Sequence, residues 1–182
     1  MSERYEIRFS GSGGQGLILA GVIFAEAATI YDKINAVQSQ SYGPEARGGA
    51  SKSEVIISDQ TIDFPKAQAI DLQLSLTQES CTKYYKDIKA DGTLLVDEDF
   101  VKTIPAGSFK VIKMPIIRTA SEEIGKAFVA NIVALGAITA LTGKVTIESV
   151  EKAVLSRVPK GTEEMNKKAL RAGYDMAKTK MN

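Results

Sequence analysis

The sequence predicts an α/β protein: a three-layer, Rossmann-like sheet with helices on both faces and a glycine loop after the first strand. Three observations carry this. Segments with strand periodicity alternate along the chain with segments of helical periodicity, the pattern of a layered α/β domain. The first strand, Arg4–Ser10, runs into glycines at 11, 13, 14 and 16 and then straight into an apolar helix. The 182 residues are 44% hydrophobic and 25% charged, enough for one core. With no repeat, linker or low-complexity stretch, residues 1–182 are expected to form a single domain.

The elements follow in order. Arg4 to Ser10 alternates, with apolar Tyr5, Ile7 and Phe9 on one side. From Gly14 to Ile30 a helical stripe of Leu17, Ile18, Gly21, Val22, Ala25 and Ala28 is small enough to pack closely on a sheet. Asn35–Gln38 reads as a second short strand, Ser39–Ala50 as a polar loop, and Lys52–Ser58 as a strand around Val55, Ile56 and Ile57. Ile62–Pro65 reads as a brief extended piece and Ala69–Leu76 as another alternating strand. Thr77 is a candidate N-cap for a helix expected to reach Lys89. Asp91-Gly92 is read as a turn into a strand over Thr93–Asp97, and Phe109–Met114 as the last strand. Helices over about Thr119–Thr142, Ile147–Val158 and Thr162–Lys180 complete the chain.

Composition narrows the function. A formal net charge of +1 argues against bulk attraction to nucleic acid or to an anionic membrane, so any anion must be bound by locally placed donors. The longest apolar stretch, Phe128–Leu141, is interrupted by Asn131 and is too short to span a bilayer. A polar start at Met1–Glu6 is unlike a signal peptide, which points to the cytoplasm. Cys81 is the one cysteine and there is no histidine. An internal disulfide, a cysteine-held iron–sulfur cluster within this chain and a histidine base are thereby excluded. Cys81 reads as a small core or helix-surface residue rather than a nucleophile.

The glycine loop is the principal candidate site. Gly11, Ser12, Gly13, Gly14, Gln15 and Gly16 turn the chain sharply, bring bare backbone N–H groups forward and open a helix, which suits a phosphate. The spacing matches the dinucleotide fingerprint, but the end of the second strand, Ala36-Val37-Gln38-Ser39-Gln40, lacks the carboxylate that would hold a ribose. A Walker A loop is excluded because no Gly-Lys-Ser/Thr follows. Two other readings stand beside anion binding: a self-contained NAD(P)- or flavin-dependent oxidoreductase, and a scaffold whose glycines serve only tight packing.

A second constellation is Tyr42-Gly43-Pro44-Glu45-Ala46-Arg47-Gly48-Gly49. Arg47 offers five fixed donors suited to phosphate, and Tyr42 a flat ring for a nucleobase or a neighbouring chain. In an open α/β sheet the loops after the first two strands end on the same side, which would let Arg47 reach toward the Gly13–Gly14 turn. Lys52 is a further basic candidate. Asn131, interrupting an apolar helix face, is either a buried polar contact or a ligand group.

These segments together resemble the gamma subunit of the 2-oxoacid:ferredoxin oxidoreductases. The matching pieces are Gly11–Gly16, Ser41–Gly49, Asp91-Gly92-Thr93 and Asn131-Ile132-Val133-Ala134-Leu135-Gly136, and the likeness runs from Tyr5 to about Tyr174. The resemblance implies a subunit of a larger enzyme, inactive alone, in which a 2-oxoacid is decarboxylated on thiamine diphosphate and the acyl group passes to coenzyme A. Electrons leave through iron–sulfur clusters to ferredoxin. It implies alpha, beta and ferredoxin-like delta partners that carry the thiamine diphosphate and the clusters, and a possible homodimer of the isolated chain. Here Ser12, Gly13, Gly14 and Gln15 would hold coenzyme A phosphate or adenosine groups, Arg47 would bind a phosphate, and Tyr42 would line the site or an interface. A 2-oxoglutarate enzyme is the first choice among 2-oxoglutarate, pyruvate, branched-chain and indolepyruvate types.

Overall fold

The computed structural model describes residues 4–41 and 49–181. Six strands, β1 (Arg4–Ser12), β2 (Asn35–Ser41), β3 (Ala50–Ser58), β4 (Ile70–Ser75), β5 (Ile88–Asp97) and β6 (Lys110–Met114), form one sheet in the order β2-β3-β1-β4-β5-β6. β1, β4, β5 and β6 run parallel, whereas β3 is antiparallel to both β1 and β2. β1 and β2 therefore point the same way, and the loops leaving them emerge at the same edge of the sheet.

Strand alternation sorts side chains into two unequal layers. Ile7 and Phe9 of β1, Leu72 and Leu74 of β4 and Leu95 of β5 face the larger core. That core is covered by α1 (Leu17–Glu26), α4 (Ala130–Thr142), α5 (Ile147–Arg157) and α6 (Glu163–Met181). On the other face Leu94 and Val96 pack with Cys81 of α2 (Gln78–Tyr84) and with Val101. Ile88, Tyr85, Ile104 and Phe109 join that smaller cluster, and beside it lies a buried polar network. Arg8, 1% exposed, donates to Glu54 at 2.7 Å, Asp87 at 2.7 Å and the Tyr84 carbonyl at 2.9 Å. Helices thus lie on both faces, with most of the apolar burial on one.

Several boundaries differ from the sequence reading. α1 starts at Leu17, not Gly14, and ends in a π-helical turn over Ala27–Tyr31. β2 continues to Ser41 because its pairing with β3 continues to Lys52. Ile62–Pro65 is irregular. The Thr77-capped helix stops at Tyr84 and a 3₁₀ turn ends it at Asp87, because Ile88 already pairs with Ile70. Asp91-Gly92 lies inside β5, where a register shift between Ile70 and Leu72 takes up the extra residues. The long helix expected over Thr119–Thr142 is broken. A three-residue α3 (Ile116–Arg118) and a π turn to Glu123 precede Gly125 at φ +80°, and α4 begins only at Ala130.

α4 is buried nearly all round and crosses α6 closely. Gly136 lies against the Leu170 carbonyl and Gly173 against the Val133 carbonyl, each so near that a Cβ would collide with backbone. The crossing fixes where the start of α4 can lie.

Candidate functional site

The parallel strands β1, β5 and β6 end on one edge, and the glycine loop caps the first of them. α1 follows β1 onto the larger-core face while α2 follows the adjacent β4 onto the other. The crossovers therefore diverge between β1 and β4, where open α/β sheets bind ligands beyond their strand carboxyl ends.

Gly11 and Ser12 still belong to β1; Gly13 and Gly14 form the exposed turn. Gly14 has φ +88° and Gly16, the residue capping α1, φ +73°. Both values lie where a Cβ strains the backbone. Gln15 serves the loop itself: its Oε1 accepts from the Ser12 N–H at 2.8 Å. A Cβ at Gly11 would displace the ends of the Gln15 and Leu17 side chains. The first intrahelical bond of α1 is Ala20 N–H to the Gly16 carbonyl at 3.0 Å. The N–H groups of Leu17, Ile18 and Leu19 thus precede the ladder and receive no acceptor from it.

Asn131 sits in the first turn of α4, 5% exposed, and its Nδ2 donates to the Gly16 carbonyl at 3.1 Å. Of the two sequence readings it makes the buried polar contact, and it does so at the candidate site. The contact sets the N-terminus of α4 beside that of α1. Neither helix has an acidic residue in its first turn or a side-chain cap. α2, α5 and α6 do carry such acids, Glu79, Glu148 and the Glu163–Glu164 pair. Among the described residues, no first-turn acid or side-chain cap offsets the positive ends of α1 and α4 where they meet.

A cavity of about 320 Å³ opens beside the loop, lined by Gly14, Gln15, Phe100, Ile117, Ala127, Phe128 and Ala130. Phe100 and Phe128 are 54% and 69% exposed. Sequence reasoning missed both, since nothing local distinguishes a rim aromatic from a core one. Clefts of about 500 and 590 Å³ lie around Lys33–Asn35 and Gly143–Thr146. They lie at the start of β2 and the end of α4, away from the glycine turn, and they mix lysines with Asp59 or Asp32. Size alone does not make them the better anion site.

Tyr42 and Arg47 lie outside the described residues. The end of their segment is held on three sides. Gly49 accepts from the Gly13 N–H at 3.3 Å, Ala50 N–H donates to Glu79 at 3.3 Å, and the Tyr84 hydroxyl donates to the Ala50 carbonyl at 3.0 Å. Lys52 donates to Glu54 at 2.8 Å and lies over the Tyr84 ring. Cys81 is fully buried, and desolvation pushes its thiol up despite a hydrogen bond with Ser75. Arg157 is raised further by its hydrogen bond and ion pair with Glu26, which ties α5 to α1. No helix among the described residues is long and apolar enough to cross a membrane.

Fold and loop together define a Rossmann-like, glycine-loop α/β domain. Residues 6–176 match the pyruvate ferredoxin/flavodoxin oxidoreductase family, and the chain belongs to that family, as a gamma-type subunit. The 2-oxoglutarate synthase subunit KorC of Methanocaldococcus jannaschii is 58% identical over 96% of this chain and 95% of its own. The same organism's pyruvate synthase subunit PorC is 30% identical, over 93% and 95%. The chain therefore falls with the 2-oxoglutarate-type subunits. The keto/oxoacid ferredoxin oxidoreductase gamma subunit of Geobacter sulfurreducens superimposes with a TM-score of 0.91 at 59% identity, covering 97% of this chain and 98% of that one. The 2-oxoglutarate:ferredoxin oxidoreductase of Magnetococcus marinus, solved with 2-oxoglutarate, coenzyme A and succinyl-CoA bound, shares the fold. Its TM-score is 0.84 at 21% identity, covering 97% of this chain and 31% of that one.

Proposed function

We propose that this subunit holds the phosphate-bearing part of coenzyme A for a 2-oxoglutarate:ferredoxin oxidoreductase. The complex would convert 2-oxoglutarate and coenzyme A to succinyl-CoA and carbon dioxide, passing two electrons to ferredoxin. The observation that carries the reading is the meeting of α1 and α4 at Gly16–Asn131, with no acidic side chain in either first turn. Two helix N-termini, each worth roughly half a positive charge, favour an anion locally although the chain as a whole carries a formal net charge of only +1.

Gly11, Ser12, Gly13, Gly14, Gln15 and Gly16 form the cradle, with Gln15 and Asn131 holding its shape. Arg47 and Tyr42 are assigned to a second phosphate and to the wall of the site. The adjoining cavity of about 320 Å³ is at the small end of ligand pockets, so it takes one part of so long a molecule. The rest then lies against partner subunits. Thiamine diphosphate and the iron–sulfur clusters are placed on alpha, beta and ferredoxin-like delta partners in the cytoplasm, as one functional unit with this chain. This chain's own part is to bind and orient coenzyme A.

Steady-state kinetics of the assembled complex carrying Gly14→Val test the proposal. A Cβ at Gly14 meets no neighbouring atom within 4 Å, so the change reshapes the turn itself. The expected result is a KM for coenzyme A raised about tenfold or more, with the KM for 2-oxoglutarate unchanged. An unchanged KM for coenzyme A in a correctly assembled complex would overturn the assignment.

A further inference from the structure

We propose that Tyr84 is a positioning residue for the glycine turn, acting through the first residue of β3, a role that rests on the coenzyme A reading of that turn. Glycine constrains its own backbone least. A turn built on Gly13, Gly14 and Gly16 therefore takes its shape from what holds it. From within, Gln15 braces the Ser12 N–H. From outside, the Gly13 N–H donates to the Gly49 carbonyl at 3.3 Å. Gly49 is itself a glycine, so its placement depends on Ala50, the residue after it.

Ala50 is buried and pairs with Ser12 on the last rung of the β1–β3 ladder. Both of its main-chain groups are taken by side chains of α2. Its N–H donates to Glu79 at 3.3 Å, and its carbonyl accepts from the Tyr84 hydroxyl at 3.0 Å. The Tyr84 bond is the shorter, and its donor is the better fixed. Glu79 is exposed, whereas Tyr84 is half-buried. The buried Arg8 donates to the Tyr84 carbonyl at 2.9 Å. The Arg8 guanidinium and the Lys52 ammonium stand 5.6 and 5.5 Å from the centroid of its ring.

These contacts close a ring. Arg8 of β1 holds Tyr84, Tyr84 holds Ala50, and Gly49 holds Gly13 at the far end of β1. The end of β3 is thus pinned to the buried polar network, and the turn is pinned to the end of β3. Removing the hydroxyl alone leaves the ring between its cations but takes the partner from the Ala50 carbonyl. The last rung then loosens, and the turn with it. Coenzyme A binding weakens, while the steps after binding proceed as before.

Tyr84→Phe in the assembled complex tests the proposal, with Tyr85→Phe and Gly14→Val beside it. Tyr85→Phe removes a hydroxyl from the next residue, whose ring packs against the Leu94 cluster. Tyr84→Phe should raise the KM for coenzyme A about fivefold, with kcat and the KM for 2-oxoglutarate within about twofold. Tyr85→Phe should change none of the three. Amide exchange over residues 11–16 should be at least about threefold faster in Tyr84→Phe than in the wild type. If Gly14→Val raises the KM for coenzyme A and Tyr84→Phe does not, the proposal is overturned and the coenzyme A reading stands. Unchanged exchange in Tyr84→Phe, a fall in kcat without a rise in KM, or an equal rise in Tyr85→Phe overturns it as well. If Gly14→Val leaves the KM for coenzyme A unmoved, the coenzyme A reading itself has failed, and this role of Tyr84 falls with it.

Discussion

Asn131 Nδ2 donates to the carbonyl oxygen of Gly16 at 3.1 Å, joining the first turn of α4 to the end of the glycine loop across 115 residues of sequence. Gly16 can accept this bond only with no side chain of its own, because a Cβ there would stand 2.5 Å from the same Nδ2. The pair links the packing of the helical layer to the shape of the candidate site.

Asn131→Ala should cost about 0.5–1.5 kcal/mol of stability, the range for one hydrogen bond. Urea unfolding checks this. In the assembled complex it should raise the KM for coenzyme A about tenfold, with the KM for 2-oxoglutarate within about twofold. Equal changes in both constants would remove Asn131 from the coenzyme A side.

Gly16→Ala should destabilise more than Gly14→Ala. Both pay about 1–2 kcal/mol for a left-handed backbone, but only the first also collides with Asn131. The double variant Gly16→Ala/Asn131→Ala should therefore lose less than the sum of its parts. Additive losses in a double-mutant cycle would mean that the collision is relieved elsewhere.

Gln15→Glu keeps an acceptor for the Ser12 N–H while placing a negative charge at the turn. Stability should change by less than about 1 kcal/mol, as for a half-exposed position away from the core. Coenzyme A should bind at least about fivefold more weakly, an effect shrinking as salt rises. Calorimetric titration of the complex at low and high ionic strength reads both.

Gly136→Ala and Gly173→Ala each drive a methyl group into the backbone of the facing helix. Each should cost about 1–3 kcal/mol or more, the range for overpacking. Thermal melts provide the measurement, and a loss below about 0.5 kcal/mol would contradict the close crossing of α4 and α6.

Cys81 supplies a pH dependence. Burial raises its thiol in the folded chain, so the neutral form is favoured there. Its contribution is present in full below the ordinary thiol range. It is lost above that range, as the unfolded thiol ionises while the folded one stays protonated. Cys81→Ala should flatten the alkaline decline in stability, measured by urea unfolding from neutral pH to pH 10. The native thiol should resist a thiol reagent until the protein unfolds.

Local features were legible from the residues alone. β1, its glycine turn and the apolar helix after it came from neighbours in sequence. So did Thr77 as the cap of α2, which the structure confirms through its bond from the Ser80 N–H. Errors arose where a distant partner overrode a local preference. Asp91-Gly92 has turn chemistry, yet β4 draws it into β5. The chain before α4 has helical composition, yet it breaks around Gly125. Lys52 stands next to the arginine segment in sequence, yet strand alternation puts it on the face of β3 away from α1, with Glu54 and Tyr84.

By itself the sequence determined the strand–glycine–helix unit, the α/β class and the family, because each rests on short-range spacing or on motifs read in order. Only the tertiary structure decided that β3 runs antiparallel and that Gln15 braces the turn. It alone brought Asn131 to Gly16 and set two helix N-termini, neither with an acid in its first turn, beside each other. Those outcomes depend on non-local pairing and close helix packing, where a partner can lie more than a hundred residues away and no local pattern names it.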